Sequence, residues 1–134
     1  MKKRKYYKGR RISKGEKKIA QFFDSHNIDY IREKTFKNCL SLSGNCLRFD
    51  FYLEQYNLLI EYQGTHHEKP INKYRRAKIV HETTVTHDSI KTEFTLDNHI
   101  NLLEIEYQDY EKVDEILTNL FKEIENDLNC KILT

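Results

Sequence analysis

Cysteine is scarce in this sequence, and its pattern excludes two common uses. There are three cysteines, an odd number, and no Cys-x-x-Cys spacing, which is not typical of a disulfide framework or a zinc site. Such usage favours a reducing, intracellular setting. Long apolar runs are also missing, whereas a membrane-spanning helix needs about 18 or more apolar residues in succession. We therefore expect no membrane partner, and no apolar segment follows the basic start of the chain as it would in a secretory signal.

Motifs for common nucleotide and acyl-transfer chemistry are missing too. The sequence has no P-loop, no Gly-x-Gly-x-x-Gly and no Gly-x-Ser-x-Gly. What it does have is a length of 134 residues, 38% hydrophobic residues, nine Tyr and seven Phe. These aromatic side chains supply enough apolar surface for one buried core, so we expect a folded chain rather than a disordered one.

Charge is distributed unevenly along the chain. The net charge is only +2, but residues 2–18 hold ten Lys or Arg and one acid, while residues 104–134 hold nine acids and three Lys. A basic arm over residues 1–12 indicates a polyanionic partner such as nucleic acid, and Tyr6 and Tyr7 within it are able to stack on bases. The alternative is a solvated tail that only aids solubility.

The remaining residues, 13–134, are predicted to form a single domain. Ser13 followed by Glu16 matches a helix-capping box. Apolar and polar periodicity then predicts, in order, a helix to about residue 26, a strand with a bulge over 28–36, a loop over 37–46, a hairpin of two strands, an irregular segment over 64–86, a helix over 87–98, a strand over 101–107 and a helix over 113–128. This order, αβββ then αβα, predicts an α/β fold with a mixed sheet of about four strands flanked by helices.

The hairpin holds the most informative polar residues. A tight link at Gln55-Tyr56 makes the numbers of opposed residues add to 111, which places Asp50 opposite Glu61 on one face. Adjacent carboxylates destabilise a sheet unless a divalent cation or another group offsets their charge. Such an ion acts on a phosphodiester as a Lewis acid. The alternative is that Asp50 pairs with Arg48 or a Lys, while Glu61 is a solvated edge residue.

The opposite face of the hairpin is predicted to be apolar and to fix this register. The residues assigned to it are Phe49, Phe51, Leu53, Leu58 and Ile60.

Four further polar residues are candidates for the same site. Glu16 offers a third carboxylate, although the capping box competes for it. His67 lies just beyond Gly64, where it serves either in proton transfer or as an ordinary loop histidine. Asp88 and Lys91 share a helix face: Asp88 suits a helix N-terminus, and Lys91 reaches either a phosphate or Asp88.

Taken in order, these motifs resemble the small nucleases of the PD-(D/E)XK fold. Within that fold the resemblance is to the very-short-patch-repair-like group, which includes phage homing endonucleases. It spans about residues 13–107. The segments that carry it are Ser13-Lys14-Gly15-Glu16, Arg48-Phe49-Asp50-Phe51, Ile60-Glu61-Tyr62-Gln63-Gly64, His67, Asp88-x-x-Lys91 and Leu102-Leu103-Glu104-Ile105.

The resemblance implies a restriction-endonuclease-like core and an Mg²⁺-dependent DNA endonuclease, with Mn²⁺ as a substitute ion. It assigns the metal to Asp50 and Glu61, with Glu16 completing the site directly or through water. His67 becomes the group that transfers a proton or contacts the phosphate. Lys91 stabilises the transition state by charge, and Asp88 matches a later acid of the group.

Gln63 departs from the pattern of the resembling family. The broad superfamily has Lys at this position, and the subgroup often has Asp. Because an amide supplies no charge and does not accept a proton readily, the general base stays open between His67 and Lys91. A structure-selective junction or mismatch nuclease, and a non-catalytic nucleic-acid-binding protein on a nuclease fold, are the two alternative functions.

Contact with DNA is expected to rest on the basic arm and on a second basic cluster. Target selection is then left to residues 37–46 and 68–86, to the arm, to a homodimer or to a partner that provides specificity. The cations expected on backbone phosphates are Lys2, Lys3, Arg4, Lys5, Arg10, Arg11, Lys73, Arg75 and Arg76.

Overall fold

The computed structural model describes the backbone of residues 6–7, 10–64 and 75–133, and the side chains of residues 12–64 and 86–128. The chain divides into two compact units. One comprises Met1–Ile28 with Gln108–Thr134, and the other comprises Asp29–Tyr107. The expected division into a basic arm and one domain over residues 13–134 stays a prediction.

In the residues that the structure describes, the first unit contains two short strands and two helices. Strands β1 (Tyr6–Tyr7) and β2 (Arg10–Arg11) pair antiparallel within the segment predicted as a basic arm. Paired stretches of two residues have no periodicity that sequence analysis detects. Helix α1 (Lys14–Ser25) follows, and helix α3 (Val113–Leu133) comes after a 3-10 segment. None of the described helices is long and apolar enough to cross a membrane.

Helix α1 begins at the predicted capping box. The Glu16 N–H donates to Ser13 Oγ at 3.2 Å, and the Ser13 N–H donates to Glu16 Oε1 at 3.1 Å. Phe22 and Phe23 are buried, and their ring centroids lie 6.2 and 6.5 Å from that of Phe121 in α3. These aromatic contacts pack α1 against α3.

The second unit is built on a four-stranded mixed sheet. Its strands are β3 (Ile31–Leu40), β4 (Cys46–Leu53), β5 (Leu58–Gln63) and β6 (Asn101–Glu106), and helix α2 (Arg75–Asp97) connects β5 to β6. The order in the sheet is β3-β4-β5-β6. The first two pairings are antiparallel and the last is parallel. The predicted α/β class, four-stranded mixed sheet and order of the main elements are confirmed.

Strand β3 differs from its predicted bounds. It starts at Ile31 and runs to Leu40, so the predicted loop over 37–46 shrinks to residues 41–45. Glu33 has a φ of 51°, and the pairing with β4 shifts register between Thr35 and Leu40. Both irregularities disturb the alternation of apolar and polar residues, which hid the second half of the strand.

Helix α2 also begins earlier than predicted. It starts at Arg75, so the irregular segment expected over 64–86 is wrong from residue 75 onward. The first half of this helix contains several β-branched threonines and no apolar stripe, and both features weaken the helical signal in a sequence. Arg75 and Arg76 consequently lie in the first turn of a helix rather than in a loop.

The core between α2 and the sheet corrects one predicted face. Phe49 belongs to a buried cluster with Leu59 and packs near Phe94 of α2, with ring centroids 6.4 Å apart. Leu59 lies two residues before Glu61 on β5, so Phe49 is on the same side as Glu61, not opposite it. Tyr52 packs against this cluster as well. Phe49 and Tyr52 are three residues apart, so they share a side of the sheet only if the alternation of side chains along β4 breaks between them. The break lies around Asp50.

Asn57 fixes how the hairpin meets β6. It has a φ of 49°, accepts from the Tyr52 hydroxyl at 3.0 Å and donates from Nδ2 to the His99 carbonyl at 3.1 Å. Its own carbonyl accepts the Asn101 N–H at 3.1 Å. These contacts join the β4–β5 turn to the start of β6. They thereby hold the register in which Leu58 pairs with Asn101.

We expect Asn57→Ala to destabilise the protein more than Asn57→Gly. Both variants lose the two side-chain hydrogen bonds, about 0.5–1.5 kcal/mol each, but alanine also pays about 1–2 kcal/mol for the left-handed backbone. Urea unfolding of both variants measures the difference. Equal stability of the two variants would contradict the assigned backbone role.

Candidate functional site

The predicted hairpin register is confirmed. Strands β4 and β5 pair Phe51 with Ile60, Tyr52 with Leu59 and Leu53 with Leu58, so opposed residue numbers add to 111. The link is a 3-10 turn over Glu54–Tyr56 followed by Asn57. Asp50 and Glu61 are the next residues beyond the last of these pairs, at the end of the hairpin away from the turn.

Asp50 is held against the backbone of β5. Its Oδ2 accepts the Tyr62 N–H at 2.8 Å, so a side chain takes a donor that in a regular ladder bonds to a strand carbonyl. The Asp50 N–H in turn hydrogen-bonds the Glu61 carboxylate. Asp50 and Glu61 are therefore neighbours through the Asp50 backbone, whereas the predicted placement of both carboxylates on one face stays a prediction. Asp50 of β4 interacts with β5, and Glu61 of β5 interacts with β4, at the point where the regular pairing of the two strands ends.

Glu61 is buried, with 5% of its surface exposed. The alternative that it is a solvated edge residue is wrong, because β5 lies between β4 and β6. Lys91 of α2 donates from Nζ to Glu61 Oε2 at 2.9 Å. The same ammonium lies 5.1 Å from the centroid of the Phe49 ring, within range of a cation–π interaction.

Burial raises the pKa of the Glu61 carboxyl, and the Asp88 charge raises it further. The charge and hydrogen bond of Lys91 and the backbone N–H of Asp50 act in the opposite direction. Burial also raises the pKa of the Cys39 thiol, which is close enough to feel both Lys91 and Glu61. Asp88 and Cys39 thus interact electrostatically with members of this ion pair.

Arg48, the predicted alternative partner for Asp50, has an acid of β3 beside it, and its pairing with Asp50 stays a prediction. Its Nε lies 3.4 Å from Glu33 Oε1, and it pairs with Thr35 in the ladder between β3 and β4. The charge of Arg48 is therefore directed toward β3.

Gln63 is 5% exposed and donates from Nε2 to Glu104 Oε2. It lines an open cavity of about 600 Å³ together with four acids. Sequence analysis assigned no role to the acids of β6, because the parallel pairing that brings them beside β5 is non-local. The alternating acids of the segment Asn101–Glu106 were the available signal. The acids of the cavity are Asp88, Glu93, Glu104 and Glu106.

Glu16 lies in the other unit, where its carboxylate accepts the Ser13 N–H. The capping interpretation is confirmed, and a metal role for Glu16 stays a prediction. The remaining predicted site residues are not described at the level of side chains. His67, Lys2, Lys3, Arg4, Lys5 and Lys73 lie outside the described residues, and Arg10, Arg11, Arg75 and Arg76 are described by their backbone only.

The donor set formed by Asp50 and Glu61 fits a hard divalent cation in chemistry and in number. Mg²⁺ is commonly held by one or two carboxylates, with water and substrate phosphate completing its shell. Within the described part of the chain, no three His, Cys, Asp or Glu residues are grouped so as to hold a metal ion by themselves. A metal at this position would therefore depend on waters and phosphate for its other ligands.

No protein-family model, curated protein or solved structure matches this chain. Inferences about function therefore rest on the residues and their geometry.

We expect the stability of Glu61→Gln relative to that of the wild type to increase as pH rises, from a starting value that is lowered because Lys91 loses its charged partner. Since the folded-state pKa of Glu61 is raised, ionisation of this carboxyl lowers stability from its unfolded pKa upward until the folded pKa is passed. Gln remains neutral throughout. Urea unfolding of both proteins between about pH 4 and pH 8 measures the difference.

Glu54→Gln is the matched control, because Glu54 is exposed in the adjacent turn. Its stability is expected to follow that of the wild type across the range. A difference between Glu61→Gln and wild type that does not change with pH would contradict the assignment.

Proposed function

We propose that this chain is a divalent-metal-dependent DNA endonuclease with a restriction-endonuclease-like core. The observation that carries the proposal is the adjacency of Asp50 and Glu61 beyond the paired part of a central hairpin, with Glu61 buried. Burial of a carboxylate with a raised pKa opposes folding, and such groups cluster at functional sites. The arrangement thus supports a functional role for the two carboxylates rather than a role in stabilising the fold.

Asp50 and Glu61 are the residues that would hold Mg²⁺, or Mn²⁺ as a substitute. The ion supplies polarisation of a phosphodiester and activation of water. The Tyr62 N–H fixes the Asp50 carboxylate, and the Asp50 N–H fixes that of Glu61. Backbone donors orient side chains without adding flexible groups, so both carboxylates are positioned by the hairpin itself.

Proton transfer or contact with the scissile phosphate is assigned to His67, with Lys91 as the second candidate base. Gln63 is engaged with Glu104 and carries no charge, so it does not replace the missing lysine or aspartate of the resembling family. Glu16 completes the metal shell in this proposal, directly or through water.

The basic residues supply contact with the DNA backbone, which is independent of sequence and weakened by salt. Arg75 and Arg76 begin α2, and Arg10 and Arg11 form β2. We propose further that selection of a DNA target site depends on a homodimer of this chain or on a partner that provides specificity.

Two alternatives remain distinct hypotheses. A structure-selective junction or mismatch nuclease shares the site and differs in substrate. Two contacts favour a non-catalytic nucleic-acid-binding protein, because each one engages a side chain of the proposed site. Lys91 donates a hydrogen bond to Glu61, and Gln63 donates one to Glu104. Mg²⁺-dependent nicking of plasmid DNA separates the enzymes from the binding protein, and defined junction and mismatch substrates then separate the two enzymes.

We expect Asp50→Asn to lower plasmid cleavage by more than about 100-fold while DNA binding persists. The substitution keeps the shape of the side chain and removes the charge that an ion requires. Gel analysis of cleavage with Mg²⁺, with Mn²⁺ and with a chelator measures the effect.

Asp97→Asn is the control for that experiment, because Asp97 is an exposed acid at the end of the same unit's helix α2. It is expected to cleave like the wild type. Full cleavage by Asp50→Asn would overturn the site assignment, and no cleavage by the wild type on any substrate would favour the binding protein.

Deletion of residues 1–11 removes seven positive charges, so we expect DNA affinity to fall. The slope of log affinity against log salt should flatten by about 0.9 for each lost phosphate contact on duplex DNA. Fluorescence anisotropy over a salt series measures it. An unchanged slope would mean that the arm does not contact DNA.

A further inference from the structure

The ion pair between Lys91 and Glu61 is unusual in its burial. The two side chains are 15% and 7% exposed, and Nζ lies 2.9 Å from Oε2. Replacing such a pair with apolar residues is often neutral or stabilising, whereas removing one partner is strongly destabilising. Stability alone therefore does not account for a buried lysine at this carboxylate.

Acidic and aromatic side chains lie around the Lys91 ammonium. Glu61 binds it directly, Asp88 precedes it by one helical turn on α2, and the Phe49 ring lies 5.1 Å away. The Lys91 ammonium thus has an acid of β5 as its direct partner and a second acid one turn away on its own helix.

Lys91 and a divalent ion would compete for the same oxygen atoms. An Mg²⁺ ion bound to Glu61 sits about 2.1 Å from its ligand oxygen, which brings it within a few ångströms of Nζ. Two like charges that close repel each other strongly in a partly buried site. Simultaneous occupation of Glu61 by both cations is therefore unfavourable.

We propose that Lys91 is the resident cation of this site, and that a divalent metal binds to Glu61 by displacing the Lys91 ammonium. In the metal-free protein, Lys91 prevents Glu61 from being buried without a counter-charge. Displacement frees a flexible cationic side chain beside the carboxylates, where a DNA phosphate would bring its own negative charge. The inference rests on the proposed metal site and adds the exchange of cations to it.

The test is binding of Mn²⁺ to the full chain without DNA, measured by electron paramagnetic resonance of the free ion. Lys91→Met should bind Mn²⁺ at least about tenfold more tightly than the wild type, because the competing charge is gone. Lys122→Met, which removes an exposed lysine of α3, is the matched control and should bind like the wild type. Equal or weaker binding by Lys91→Met would overturn the exchange.

A second measurement does not depend on the folding of a variant. In wild-type protein, the ¹⁵N signal of the paired Lys91 ammonium should shift or disappear on addition of Mg²⁺, over the same range in which the amide signals of Asp50 and Tyr62 move. If those amides respond while the Lys91 signal stays unchanged, the exchange is wrong and the metal site stands. If neither responds, the metal site is wrong as well, and cleavage by Asp50→Asn decides the proposed function separately.

Discussion

The contact between Lys91 and Glu61 joins helix α2 to the middle of the sheet, and the rest of the candidate site depends on it. Glu61 lies on β5, a strand with neighbours on both sides, so water does not solvate its carboxylate. Lys91 balances the charge of that carboxylate from a helix that packs over the same face through Phe94. Removing the lysine would leave a buried charge without a partner, and that is a strongly destabilising change.

The hairpin places a second carboxylate beside this pair by an unusual use of its backbone. The Asp50 side chain accepts the Tyr62 N–H, so the two strands remain connected where their ladder of paired residues ends. Asn57 secures the other end of the same hairpin and links it to β6. The positions of Asp50 and Glu61 are therefore set from both ends of a short, rigid element.

Local patterns made much of this arrangement predictable. A short polar link between two strands sets the hairpin register, because side chains alternate with a period of two. That rule predicted Asp50 beside Glu61, and the paired residues that lead up to them follow it. The capping box at Ser13 and Glu16 is equally local, since its two hydrogen bonds span three residues.

The features that sequence reasoning missed depend on distant parts of the chain. The parallel pairing that sets Glu104 beside Glu61 joins segments separated by a whole helix, and no local rule specifies it. The partner of Lys91 is also non-local, so Asp88 and a phosphate were the partners considered. Phe49 was assigned to the wrong face because strand alternation breaks around Asp50, and no local pattern in the sequence signals that break.

Crystals of the full chain grown with Mn²⁺ provide the most direct test of the central claim, that Asp50 and Glu61 form a divalent-metal site. An anomalous difference map should place one manganese within about 2.0–2.3 Å of a carboxylate oxygen of each residue, with Lys91 Nζ moved away from Glu61. An intact contact between Lys91 and Glu61 at millimolar Mn²⁺, with no anomalous peak at either carboxylate, would contradict the account.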